Sequence, residues 1–399
     1  MFEGSVIHGT KSIGREAFGV ATVATKLPQA QADLGMDPEV WVMNTPKEAS
    51  EASAANGLEP SLVRTFPQSQ PAFLGISFDM EKAARSWAGR QPLVVHQHML
   101  WLGYSRTTDL FRSKKGARTV LAPHGVLDYW HVRKSKLKKA VAGFLYEHSN
   151  LRNCACLQAT SDQELKDFRN FGLKNPIARI NNGVSEHQLA CRGNGGNFRS
   201  KHGLDAGRRI MLFVSRISRQ KGLDMLLRAM DRLRKESADW TLAIAGYDQE
   251  GYEPEVRRLI ADLKMDERVI FVGPLYGEEK DDAFAAAEVF VLPSRSEGSP
   301  MIVLEAMAAG LPIMTTQAAP WEELLKHDCG WWSEISTEGI EESLADVLTL
   351  DARYLSDKGE CAKKLVAAEY TWSAAARRTS ELYGWLTEGG TPPDFVLCD

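Results

Sequence analysis

The densest concentration of chemistry-bearing residues is the stretch SRSEGSPMIVLEAMAAGLP at 294–312. Glu297 and Glu305 stand eight residues apart, one in a polar turn and the other inside an apolar, helix-prone run. Between them Gly298, Ser299, Pro300 and Met301 read as a turn entering a helix. Pro300 suits the first helical position, because its missing N–H would have no partner there. A helix start of this kind attracts phosphate through its free N–H groups and its dipole. A carboxylate beside bound phosphate is repelled unless it has hydroxyls to accept from, so the two glutamates suggest sugar or ribose hydroxyls. The plain alternative makes Glu305 a solvated helix residue and Glu297 a cap. Val303, Leu304, Met307 and Ala308 are free to cover a sheet.

A second candidate is FVSRISRQKGLDMLL at 213–227, where Arg216 and Lys221 share one strand-to-helix loop. An arginine fork with a lysine point charge suits a diphosphate better than a single carboxylate. Taken in isolation, two loop cations are more often simply exposed. In APHGVLDYW at 122–130, His124 closes a strand, where a neutral imidazole can accept from a hydroxyl or fill a structural role. His96 and His98 in VVHQHMLW share a strand face at period two and form a possible metal pair. With no third ligand spaced to join them, packing or acceptor-side contacts are the better reading.

These residues need elements to hold them. Short apolar runs alternate with amphipathic stretches along the whole chain, the pattern of βαβ units and parallel sheets. The chain has 399 residues, beyond the roughly 250–300 at which a single core stops growing, so two domains are expected. The first is placed at 1–185 and the second at 209–370. The glycine-rich, aperiodic stretch CRGNGGNFRSKHGLDAGRR lies in a linker at 186–208. A helix at 372–386, within a terminal segment 371–399, is expected to pack back on the first domain. Two doubly wound domains side by side leave a cleft at the carboxyl ends of their strands, where ligands of open α/β folds bind.

Composition narrows the function. With 44% hydrophobic and 25% charged residues the chain is of ordinary globular type, and a net charge of −4 gives no support for general nucleic-acid binding. The charge is uneven: residues 1–190 carry a net +6 and the remainder −10. Part of the basic excess is Arg133, Lys134, Lys136, Lys138 and Lys139. The segment 131–150 also sets Leu137, Val141, Phe144 and His148 on one helical stripe. Such a helix can lie on an anionic membrane surface, or be an ordinary helix with a solvated basic face. The six cysteines lack the spacing of a disulfide framework or zinc knuckle and read as reduced, mostly buried thiols. The N-terminus lacks a signal-peptide pattern and no stretch approaches a membrane span, which fits a cytoplasmic protein with at most peripheral contact on the inner membrane face.

The residues from Arg216 to Pro312 resemble those of the retaining glycosyltransferases of family 4, glycosyl transferases group 1, which have two Rossmann-like domains in the GT-B arrangement. The resemblance runs from about residue 8 to 386, densely in the second domain and more thinly in the first. The family's Glu-x₇-Glu pattern falls on Glu297 and Glu305. By that resemblance Glu297 contacts the donor sugar, Glu305 the ribose hydroxyls, and Arg216 with Lys221 the diphosphate. Backbone N–H groups around Gly298, Ser299 and Met301 hold sugar hydroxyls and phosphate. Pro300 departs from the glycine many members have there, and cannot donate an N–H. The family's cleft histidine falls on His124. The Gly-Gly of the first loop falls on Phe18 and Gly19, with Phe18 a departure and Gly14 and Arg15 just before. Asn182-Gly183-Val184 matches the inter-domain turn.

The resemblance implies transfer of a sugar from a nucleoside diphosphate sugar to a carbohydrate or lipid-linked acceptor hydroxyl. Anomeric configuration is retained, in surface polysaccharide or lipopolysaccharide assembly. No cofactor is expected. Arg216, Lys221 and the helix start supply the positive potential for the leaving diphosphate, no Asp-x-Asp metal site is evident, and the leaving phosphate is the expected base. Closure of the two domains over the donor is expected to exclude water. A nucleotide-sugar epimerase of the same fold and a non-catalytic nucleotide-sugar-binding subunit are the alternatives.

Overall fold

The structure, a computed structural model, describes residues 1–14, 17–127, 136–190 and 192–398. Arg15, Arg133, Lys134 and Cys191 lie outside these. The chain divides into two compact units, Met1–Gly183 with Trp372–Asp399, and Val184–Thr371.

The first unit contains β1 (Ser5–Gly9), β2 (Asp37–Val42), β3 (Val63–Thr65), β4 (Leu93–His98), β5 (Arg118–Ala122), β6 (Cys156–Ala159) and β7 (Ile177–Arg179). They form a parallel sheet in the order β7-β6-β5-β4-β1-β2-β3. Parallel strands are covered on both faces, so they must be buried throughout. β1 and β4 are buried at every position, although β4 reads LVVHQH. Half of β4 is therefore polar side chain that has to find partners inside the protein. The helix Trp372–Glu388 belongs to this unit and supplies one of them, the Tyr383 hydroxyl 2.6 Å from His96 Nδ1; it also ties in other parts of the unit, with Ser380 accepting from the Phe2 N–H at 2.8 Å and Thr379 accepting from Gln31 at 2.8 Å.

The second unit contains β8 (Arg209–Val214), β9 (Trp240–Ala245), β10 (Val269–Gly273), β11 (Val289–Leu292), β12 (Ile313–Thr316) and β13 (Gly330–Ser333), all parallel in the order β10-β9-β8-β11-β12-β13. In each sheet the first strand lies between strands that run onward in opposite directions, the Rossmann order with its switch point at β1/β4 and at β8/β11. The core of the second unit includes Val303, Leu304, Met307 and Ala308 of the helix Met301–Ala308, which cover the sheet as their spacing predicts.

Three expectations are corrected. The stretch 186–208 is not a linker: it folds into the helices Glu186–Ala190 and Gly195–Lys201 within the second unit, and Phe198 joins the core. Its glycines mark close approach rather than looseness. A Cβ on Gly193 would stand 2.0 Å from the Asp281 carbonyl oxygen, and one on Gly195 2.7 Å from that of Ala285. The Asp282 carboxylate completes the contact, accepting from Asn194 N at 2.6 Å and Asn197 Nδ2 at 3.2 Å. Second, the C-terminal helix is followed by a further strand, β14 (Val396–Leu397), antiparallel to β7. Two residues are too few to show a period of two. Third, Gly19 lies in the first turn of the helix Phe18–Asp33 rather than in the loop before it.

Candidate functional site

In the second unit the loops that leave β8 and β11 carry the predicted residues to the switch point. Pro293 and Gly222 bring these loops together: Gly222 has φ 69°, and a Cβ there would lie 1.9 Å from the Pro293 carbonyl oxygen, so only glycine permits the packing. Gln220 Nε2 donates to Ser296 O at 2.9 Å and Arg295 N to Gln220 O at 2.7 Å. Arg295 forks onto Asp224, with both bonds at 2.8 Å.

Held this way, the Lys221 ammonium donates to Glu297 Oε1 at 2.5 Å, and both side chains are more than nine-tenths buried. Ser294 Oγ donates to the same oxygen at 2.6 Å. A buried charge needs its partner, which accounts for the pairing. The Lys221 ammonium has no second hydrogen-bond partner among the described residues, so two of its three N–H donors remain for a ligand. Arg216, half-buried, bonds the Gln249 side-chain oxygen at 2.5 Å. Glu305 is half-buried and accepts from Lys280 Nζ at 2.6 Å. It is neither solvated nor free.

The helix Met301–Ala308 starts without a side-chain cap. Pro300 is its N-cap, with ψ 107°, rather than its first helical residue, because its extended ψ leaves the helix to begin at Met301. The loop Gly298–Pro300 therefore runs straight onto uncapped N–H groups, the arrangement that attracts an anion.

His124 and Gly19 belong to the first unit. His124 has φ 57° and is followed by Gly125 at φ 79°; Met99 and Trp101, which follow β4, have φ 68° and 66°. Non-glycine residues in this region carry strain of about 1–3 kcal/mol each, held only where surroundings over-determine them. Two buried carboxylates do that. Glu164 accepts from Gly125 N, Thr160 N and Thr160 Oγ1 at 2.8, 2.8 and 2.9 Å. Glu147 accepts from Trp101 N at 2.7 Å and Ser105 Oγ at 2.9 Å. Burial raises both carboxyls above their ordinary range, and these hydrogen bonds oppose it.

Behind His124 the rings of His98, His96 and His8 stack with centroids 4.8 to 5.3 Å apart. His124 Nε2 meets His98 Nδ1 at 3.0 Å, His98 Nε2 meets His8 Nδ1 at 3.0 Å, and His8 Nε2 meets Gln31 Oε1 at 2.7 Å. His96 Nδ1 is 2.6 Å from the Tyr383 hydroxyl. Burial lowers His8 and His124 to about 4 and His96 and His98 well below their ordinary value, so all four rings are neutral at pH 7. The packing reading of His96 and His98 thus describes their surroundings.

Sequence reasoning missed Lys280, Ser294, His8, Gln31, Glu147 and Glu164. His8 carried a weak signal, being a polar residue inside the apolar strand SVIHG. Ser294 lies three residues from Glu297 and Glu164 four from Thr160, while Lys280, Gln31 and Glu147 meet the partners named above through the fold.

Parallel sheets of Rossmann order define a doubly wound α/β protein, whose second unit sets paired charges and an uncapped helix start at its switch point. Similarity to known proteins agrees with that class. The family description "Glycosyl transferases group 1" matches residues 196–364, and "Glycosyl transferase 4-like domain" matches 18–183. The chain belongs to this glycosyltransferase family.

Its relatives include a GDP-mannose-dependent alpha-(1-6)-phosphatidylinositol monomannoside mannosyltransferase of Mycolicibacterium smegmatis. The two are 30% identical over 194 residues, 46% of this chain and 50% of that one. The lipopolysaccharide core biosynthesis mannosyltransferase LpsB of Rhizobium meliloti is 30% identical over 158 residues, 39% of this chain and 41% of the other. The matched stretches span half or less of these curated relatives. Over 97% of its length the chain also superposes on the sucrose-phosphate synthase of Thermosynechococcus elongatus, all of which is covered, with TM-score 0.76 and 20% identity; that likeness concerns the GT-B fold. No helix among the described residues is long and apolar enough to cross a membrane.

Proposed function

We propose that this chain transfers a sugar from a nucleoside diphosphate sugar to an acceptor hydroxyl with retention of anomeric configuration. The observation that carries the reading is the buried Lys221–Glu297 pair at the β8/β11 switch point, beside the uncapped start of Met301–Ala308. A departing diphosphate gathers negative charge as the sugar becomes oxocarbenium-like, and preorganised donors stabilise that change. Lys221, Arg216 and the N–H groups near Ser299 and Met301 take that role, and Pro300 contributes no donor. Glu297, anchored by Lys221 and Ser294, presents its second oxygen to a sugar hydroxyl. Glu305 accepts from the ribose while Lys280 neutralises it. His124, on the first unit, serves as acceptor for a ligand hydroxyl. The leaving phosphate serves as base, and the chemistry proceeds without a bound metal or cofactor.

The acceptor is a carbohydrate or a lipid-linked sugar of surface polysaccharide or lipopolysaccharide assembly. The names of the two mannosyltransferase relatives support that class. The segment 136–153 supports contact with the inner face of a membrane, because Val141, Phe144 and Leu145 are exposed in a segment that follows a lysine-rich run of the sequence.

Thermal unfolding of the chain with UDP, GDP, ADP and their sugar conjugates tests the reading, since a ligand of the native state raises its apparent stability. One nucleotide should raise the midpoint, and a Lys280→Met, Arg216→Met variant should lose that shift. Proton NMR of the product should then show the donor's own anomeric configuration. Turnover of donor alone would indicate an epimerase, and binding without transfer to any acceptor a binding subunit; either overturns the proposal, as does an inverted product.

A further inference from the structure

The stacked histidines of the first unit do more than fill space. Their hydrogen bonds run in one direction, and the direction is set at the far end. Thr379 Oγ1 gives its proton to Ala376 O at 3.0 Å and so can only accept from Gln31, 2.8 Å away. The Gln31 atom facing it is therefore the amide nitrogen, whose second N–H reaches the Tyr383 oxygen at 3.3 Å. This orientation employs both amide N–H groups, and it turns the Gln31 oxygen toward His8.

An amide oxygen only accepts, so His8 Nε2 carries the proton and its neutral ring has a bare Nδ1. That nitrogen is 3.0 Å from His98 Nε2, which must then donate, leaving His98 Nδ1 bare. His98 Nδ1 in turn requires the proton of His124 Nε2, again at 3.0 Å. His124 keeps its own Nδ1 unprotonated and without a partner among the described residues. His124 is half-buried as a residue, while His8, His98 and Gln31 are fully buried. The logic applies to neutral rings, and burial keeps all of them neutral at pH 7.

We infer that Thr379, Gln31, His8 and His98 are positioning residues that hold His124 in its Nε2–H tautomer, so that His124 offers a bare Nδ1 as acceptor for a ligand hydroxyl. The role assigned to that hydroxyl rests on the proposed function, whereas the tautomer does not. Such a nitrogen accepts from an alcohol and is repelled by the oxygen of a carboxylate or phosphate. The site is thereby selective for a hydroxyl at this point. The second ring nitrogen deciding what the first can do is a recurrent property of histidine.

The test is a long-range proton–nitrogen correlation spectrum of the full chain labelled with ¹⁵N-histidine, recorded at pH 7 and assigned with single His→Gln variants. His8, His98 and His124 should each show a protonated Nε2 and an unprotonated Nδ1. A protonated Nδ1 on His124, or an imidazolium on any of the three, overturns the inference. In Gln31→Met, which keeps the side-chain length but removes the terminal acceptor, the His124 resonances should move to those of mixed tautomers. Thr379→Ser should leave them in place. An unchanged His124 in a folded Gln31→Met variant also overturns the inference. If that variant does not fold, the wild-type spectrum still decides. The spectrum reads the tautomer whether or not the chain transfers sugar, so a failed transferase assay and a failed relay are separate results.

Discussion

The two units share one sheet order yet fill the region of their switch points with opposite chemistry. In the first unit the polar groups behind His124 are neutral rings and an amide, joined end to end by hydrogen bonds. In the second they are full charges in pairs, Lys221 with Glu297 and Lys280 with Glu305. A neutral chain can be buried if each donor meets an acceptor, and the proton positions then carry the information. A buried pair must keep both members, because either alone is an uncompensated charge. The first arrangement is sensitive to pH and the second to truncation.

The sharpest way to break that contrast is Lys221→Met. With both side chains more than nine-tenths buried, losing the ammonium strands the Glu297 carboxylate and should cost about 3–5 kcal/mol. Urea unfolding followed by fluorescence measures this. The double variant Lys221→Met, Glu297→Gln should recover more than half, since neither charge is then left alone. A single variant costing under about 1 kcal/mol would mean that the pair behaves as a surface one, and the contrast would fail.

The first unit should answer to acid instead. His8 titrates at about 4 when folded, against about 6.5 in an unfolded chain. Its contribution is complete above 6.5. As pH falls from 6.5 toward 4, the unfolded chain takes up a proton that the folded chain refuses, and stability declines by about 3 kcal/mol for this ring. His124, also near 4, adds in the same sense. Glu147 and Glu164, raised by burial, act with the opposite sign. The clean measurement is therefore the difference in urea midpoint between wild type and His8→Asn across this range. Equal slopes in the two proteins would remove the buried-imidazole account.

The same contrast separates what sequence makes legible from what it hides. Glu297, Glu305, Arg216 and Lys221 are readable because each lies close to a strand end or helix start that announces itself locally. Their pairings are less so: Lys221 meets Glu297 across 76 positions and Glu305 meets Lys280 across 25. The histidine chain is hidden further. His8 and His98 are 90 positions apart, and Gln31 reaches Thr379 across 348. Parallel register alone brings His8 level with His96. The stretch 186–208 misleads for a different reason, since glycine signals both looseness and tight approach, and only the neighbouring backbone distinguishes them.

The smallest expected effect on stability falls on the helical segment after residue 136. There a five-residue π-turn, Gly143–Glu147, departs from the regular helix that the stripe Leu137, Val141, Phe144, His148 assumes. Such a turn inserts an extra residue and breaks the regular spacing, and Leu145, within it, stands at the surface with Phe144 and Val141. Phe144 is 88% exposed and Leu145 66%. Side chains so exposed contribute little to a core, so Phe144→Ser with Leu145→Ser should change stability by less than about 0.5 kcal/mol. The same variant should sediment less with vesicles containing phosphatidylglycerol, while vesicles of phosphatidylcholine alone should bind neither protein. Equal sedimentation of variant and wild type would detach this surface from any lipid-linked acceptor and leave the charged site of the second unit as the only part of the proposal that the change does not touch.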